Sequence, residues 1–119
     1  MTQSEGRIVR QRLKRPELVA MAQARFGDMV KAVVDVSRGV MAVNGELHSD
    51  EEALLLEDGS RQADLWGINL YPNESGPQWI EFDSMINVRP SQNNRSRDVE
   101  DESIREEIRR VVSALVEEP

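Results

Sequence analysis

Between residues 29 and 43 the chain commits itself to an antiparallel sheet. Val30, Ala32, Val34 and Val36 fall on alternate positions, with Lys31 and Asp35 between them, and 40–43 is a second apolar run. Successive side chains of an extended chain point to opposite sides, so this spacing specifies a strand with one face in a core. Ser37-Arg38-Gly39 separates the two runs. A glycine closing a three-residue loop supplies the positive φ that such hairpins need. Strands joined this closely pair antiparallel.

The remaining segments supply elements to cover that hairpin. Pro16 and Glu17 suit a first helical turn, Leu18, Val19, Ala22 and Phe26 recur at helical spacing, and Gly27 ends the segment. Residues 8–13 before it read as an edge strand or an extended arm. Ser49 and Glu52 have the spacing of a capping box, so a helix is expected to start there, run through Ala53-Leu54-Leu55-Leu56 and stop at Gly59. Residues 64–71 form a third strand with Trp66, Ile68 and Leu70 on one face. Residues 79–89 alternate over a length that predicts a fourth strand bent near Asp83-Ser84, because strands average about 5–6 residues. A last helix over 101–116 carries an apolar stripe of Ile104, Ile108, Val111, Val112, Leu115 and Val116. Such a stripe faces a core.

These elements predict a single α+β domain over 1–119, with 1–7 flexible. Its sheet has four to five antiparallel strands from two hairpins, and about three helices pack mainly on one face. The other face, with Lys31, Asp35, Asn69, Glu81, Asp83, Asn87 and Arg89, is expected to stand open to water or a partner.

Composition narrows the function classes. Of 119 residues, 39% are hydrophobic and 31% charged, a globular balance, and no cysteine is present to form a disulfide or a thiolate metal site. No apolar run reaches the roughly 18 residues of a membrane helix, and the first residues lack a signal-peptide core. The expectation is a cytoplasmic protein without membrane contact. A net charge of −7 disfavours nucleic acid as partner. The only possible contacts of that kind are the basic residues within 7–25 and the loop 93–97. Six basic residues stand against two acidic ones in 1–25, and three against nine in 26–64. That asymmetry suits a self-complementary surface and a homo-oligomer.

One stretch could carry acid–base or metal chemistry. His48, the only histidine, stands among Glu46, Asp50, Glu51 and Glu52. Alternate residues of an extended segment share a side, so Glu46 and His48 could reach one ion, with Asp50, or Asp35 or Asp83 from the sheet, completing the shell. Glu46, His48 and Asp83 are the candidate catalytic set of a metal-assisted hydrolase or nuclease, in which a bound metal generates hydroxide near neutral pH. The competing reading gives the carboxylates to the helix cap and dipole. Covalent catalysis has no nucleophile motif to rest on, and no phosphate-binding glycine loop or other cofactor signature appears.

A second candidate is the arginine loop. Asn94, Arg95 and Arg97, with Arg89 just upstream, offer guanidiniums and amides suited to an anion. Asp98, Glu100 and Asp101 follow and neutralise them. Arg95 is expected to be tied to the protein, with Arg97 exposed. Trp79 beside Tyr71 is a candidate partner anchor, whereas Trp66 belongs to the core.

Several phrases taken together are similar to a bacterial family defined only as a domain of unknown function. They are Arg25-Phe26-Gly27-Asp28-Met29-Val30-Lys31, Gly45-Glu46-Leu47-His48, Gly59-Ser60-Arg61-Gln62, Leu65-Trp66-Gly67-Ile68-Asn69-Leu70-Tyr71-Pro72, Ile86-Asn87-Val88-Arg89-Pro90 and Asn94-Arg95-Ser96. Asn44-Gly45 departs from the double glycine expected there. The resemblance implies a small stand-alone bacterial protein and brings no activity, cofactor or catalytic residue. The residues themselves point to a binding or interaction protein without catalytic activity, acting on itself or another protein, with the hydrolase as the alternative.

Overall fold

The computed structural model describes residues 6–117, so most of the expected flexible stretch lies outside the described residues. Its elements are β1 (Arg7–Val9), α1 (Arg15–Arg25), β2 (Val30–Asp35), β3 (Val40–Val43), α2 (His48–Glu57), β4 (Leu65–Leu70), β5 (Ile80–Glu81) and α3 (Glu102–Leu115). The strands form one five-stranded sheet in the order β1-β3-β2-β4-β5. Every strand pair in it is antiparallel, giving the α+β fold that the hairpin pattern predicts.

The period of two sorts the strand residues onto two faces. Val30, Ala32 and Val34 of β2 join Met41, Val43, Trp66, Ile68 and Leu70 in the larger core, under Leu18 and Ala22 of α1 and Ile108, Val111 and Val112 of α3. The stripe on α3 is therefore the helix's buried face, and Asp101 caps that helix by accepting from the Ser103 amide at 2.9 Å. Burying several large aliphatic side chains at about 25 cal/mol per Å² of apolar surface makes this the dominant stabilising layer.

The opposite face is covered in part. Val33 and Ala42 from the sheet meet Leu65 and Leu55 of α2 in a second, smaller core. One helix and the segment 84–97 lie over the side where a bare polar face is expected. Asp35, Asn87 and Arg89 are buried there. A buried charge requires partners, and each has them. The Asp35 carboxylate accepts from the Ser37 and Arg38 amides, both at 2.9 Å, and from the Ser60 hydroxyl at 2.6 Å. Those two amide bonds also shape the hairpin loop, which spans 36–39 rather than 37–39, with Asp35 opposite Val40.

The predicted strand over 79–89 is cut to Ile80–Glu81, after which the chain leaves the sheet in short 3-10 turns. Asn87 gives the physical reason. Its side-chain Oδ1 accepts from the Gly67 amide at 2.8 Å and its Nδ2 donates to the Gly67 carbonyl at 3.0 Å. A side-chain amide thus makes the two bonds that a neighbouring strand would make. Gly67 permits the approach, since a Cβ there would stand 2.5 Å from Ser84 Cβ. Among the described residues no helix is long and apolar enough to cross a membrane.

Candidate functional site: a polar cleft at the start of α2

The helix α2 starts at His48, with Leu47 as its cap residue and no side-chain cap bond. The Ser49/Glu52 capping box is therefore not formed. The helix begins two residues too early for it, which puts Ser49 inside the first turn. Glu51 reaches back instead, and its Oε2 accepts from the Gly45 amide at 2.7 Å. Glu51 is fully buried, and its Oε1 has no partner among the described residues. Burial pushes its pKa well up.

His48 anchors this turn to the sheet, its Nε2 lying 2.8 Å from the Ile68 carbonyl oxygen. A carbonyl only accepts, so Nε2 carries the hydrogen. Burial lowers the His48 pKa and Lys31 lowers it further, against the opposing pull of the Ile68 carbonyl, Asn69 and Asp83. The neutral ring then leaves Nδ1 unprotonated.

Beside His48 the register aligns three polar residues across three strands. Lys31 on β2 pairs with Asn69 on β4, and Asn69 with Glu81 on β5. All three therefore point to the α2 side of the sheet. Asn69 is 6% exposed. Its Nδ2 donates to Glu81 Oε1 at 2.8 Å and to the Asp83 carbonyl at 3.3 Å, while its Oδ1 is buried with no hydrogen-bond partner. The Tyr71 hydroxyl donates to the same Glu81 oxygen at 3.1 Å, and burial together with Glu81 raises the Tyr71 pKa. Arg97 Nε bonds Asp83 Oδ1 at 2.6 Å. These groups line an open cleft of about 590 Å³. Leu47 and Met85 on its rim are 53% and 65% exposed.

The residues singled out from sequence are brought together only in part. His48 and Asp83 share the cleft; Glu46 and Asp50 do not line it. Asp35 lies four residues beyond Lys31 along β2, about 13 Å away at strand rise. Among the described residues no three of histidine, aspartate and glutamate approach closely enough to hold a metal ion.

Of the anion candidates, Arg89 is spent on the fold. Its guanidinium donates to the carbonyls of Ile86 and Gln62, each at 2.9 Å, and to that of Leu65, and it stacks 4.6 Å from the Trp66 ring centroid. Asn94 is buried, and its Nδ2 donates to the carbonyls of Asn87, Ser96 and Asp98. The two loop arginines reverse the expectation. Arg97 is held by Asp83, whereas Arg95 is exposed and, among the described residues, bonds through its backbone amide alone, to Glu100 at 3.0 Å. The anion-binding backbone of that loop is filled from within, because the same Glu100 oxygen also accepts from the Ser96 amide. Trp79 is partly buried beneath the Arg15 guanidinium, 3.6 Å from its ring centroid.

Alternation alone placed Lys31, Asn69 and Glu81 on one polar face, but not as direct neighbours. Their common signal is the pairing register, which needs strand order. No curated protein and no solved structure matches the chain. The family described as "Protein of unknown function (DUF5674)" matches residues 7–115, and the chain belongs to that family.

Proposed function

We propose that this chain is a binding protein whose cleft beside α2 takes a small polar ligand, and that it does no covalent chemistry. The observation that carries this reading is a cleft of about 590 Å³ in which Lys31 and Glu81 stand without an ion pair among the described residues. A ligand group of opposite charge placed against either makes a charge-assisted hydrogen bond. Pockets of this volume suit metabolite-sized molecules. Against catalysis, His48 Nε2 is committed to Ile68 and the Asp83 carboxylate to Arg97.

The test is a two-dimensional amide NMR screen of the protein against amino acids, organic acids, sugars and nucleosides. At least one compound is expected to shift the amides of residues 47–49 and 69 in a saturable way. No saturable shift at those amides with any compound would overturn the reading.

Self-association is a second reading, favoured by Leu47 and Met85, two large apolar side chains exposed on one rim. Sedimentation equilibrium should then show a dimer that Met85→Glu dissociates, and a monomer at all concentrations would rule this out.

A further inference from the structure

We infer that the ligand of this cleft is a small zwitterion, with its carboxylate at Lys31 and the start of α2 and its ammonium at Glu81. The inference rests on the cleft reading above and adds to it the chemical class of the ligand.

Charge on the cleft floor is laid out in one row. Lys31, Asn69 and Glu81 are mutual neighbours across β2, β4 and β5. The cation at one end forms no ion pair among the described residues; its Nζ rests 5.2 Å from the Phe26 ring centroid. At the other end Glu81 Oε1 takes the Asn69 and Tyr71 donors. Its Oε2 has no bond among the described residues. The cleft's other two charges, Arg97 and Asp83, cancel each other at 2.6 Å. A lone positive end and a lone negative end therefore remain, with a neutral His48 beside them. A purely anionic ligand would meet Glu81, and a purely cationic one Lys31. A molecule with both charges satisfies both.

Two further features set its orientation. The N-terminus of α2 lacks a side-chain cap, and its dipole and amides favour a carboxylate. The helix packs against β1, β2 and β3, on the Lys31 side of the row, so both attractions serve the same end. Between the ends, Asn69 is 6% exposed and fixes the Glu81 carboxylate by donating its Nδ2 to Oε1 at 2.8 Å.

The spacing limits ligand size. Two strand spacings are about 9.6 Å when side chains stand perpendicular to the sheet. A charge-assisted hydrogen bond of about 2.8 Å at each end leaves about 4 Å between the ligand's ionic groups. That separation belongs to amino acids with one or two carbons between amine and carboxylate.

β-Alanine, propionate and ethylamine make a matched probe set, the second lacking the amine and the third the carboxylate. Amide NMR titration of the full chain is expected to show β-alanine binding at least tenfold more tightly than either single-charge probe. Glu81→Gln keeps an acceptor for Asn69 and Tyr71, and Lys31→Met keeps the apolar stem. Each should weaken β-alanine at least tenfold, with circular dichroism and thermal unfolding confirming an intact fold. Propionate binding as well as β-alanine, unchanged by Glu81→Gln, would overturn the zwitterion while leaving a cleft that binds anions. Silence of all three probes would also overturn it, and the cleft reading would then stand or fall on the wider screen.

Discussion

His48 Nε2 sits 2.8 Å from the carbonyl oxygen of Ile68, so the first residue of α2 is tied to the backbone of β4. The bond requires a hydrogen on Nε2, and burial favours the neutral ring. It fixes where the helix starts and hence which groups border the cleft.

The His48 pKa is lowered from its ordinary 6.5. A histidine whose folded value is depressed contributes stability that is fully present above the unfolded pKa and is lost as pH falls through the folded one. An NMR titration of the ring should give a midpoint below 6.5. His48→Gln, which can still donate to Ile68, should remove the acid-side loss of stability.

Glu51 acts in the opposite direction. Its folded pKa is raised well above 4.5, so its contribution is full below that value and lost as pH rises through the folded one. Glu51→Gln keeps an acceptor for the Gly45 amide and carries no charge. Denaturant unfolding is expected to show the variant gaining on the parent as pH increases. Equal stabilities from acid to alkaline pH would remove the buried-carboxyl account.

Arg89→Ala strands three backbone carbonyls and uncovers Trp66. Urea unfolding should register a loss of about 3 kcal/mol, since three bonds from a charged donor, one of them to the buried Leu65 carbonyl, are lost together. Arg95→Ala, changing an exposed side chain, should stay within about 0.5 kcal/mol. A similar cost for the two would contradict their different roles.

Gly67→Ala drives a methyl group into Ser84, 2.5 Å from its Cβ and 2.6 Å from its Oγ. The segment carrying Ser84, Met85 and Ile86 must then lift from the sheet. The expected cost is about 1–3 kcal/mol, as for other overpacked sites, accompanied by shifts of the cleft amides. A stable variant with unmoved amides would show that the close approach is not required.

Ser49→Ala should change stability by less than about 0.5 kcal/mol, because the helix cap is Leu47 and its side chain makes no cap bond. Ile108→Ala, in the α3 stripe and fully buried, should cost about 2–5 kcal/mol. Thermal unfolding of the pair separates a local capping role from core packing.

What the chain determined by itself is the set of local periodicities. Alternation over 30–36 gave β2, the spacing of Ile108, Val111 and Val112 gave α3, and Gly27 and Gly39 marked two ends where φ is positive. These follow from side-chain direction, which depends only on backbone conformation a few residues either way. Family membership was legible too, in phrases spread along the sequence. The cleft was not. Lys31, Asn69 and Glu81 lie far apart in the chain and meet only because β2, β4 and β5 are neighbours in that register. The same tertiary contacts overrode local signals: Asn87 replaced a strand with its side chain, and His48 moved a helix start by bonding Ile68. Strand order, and which polar residue finds a buried partner, depend on contacts between distant segments, and no local pattern encodes them.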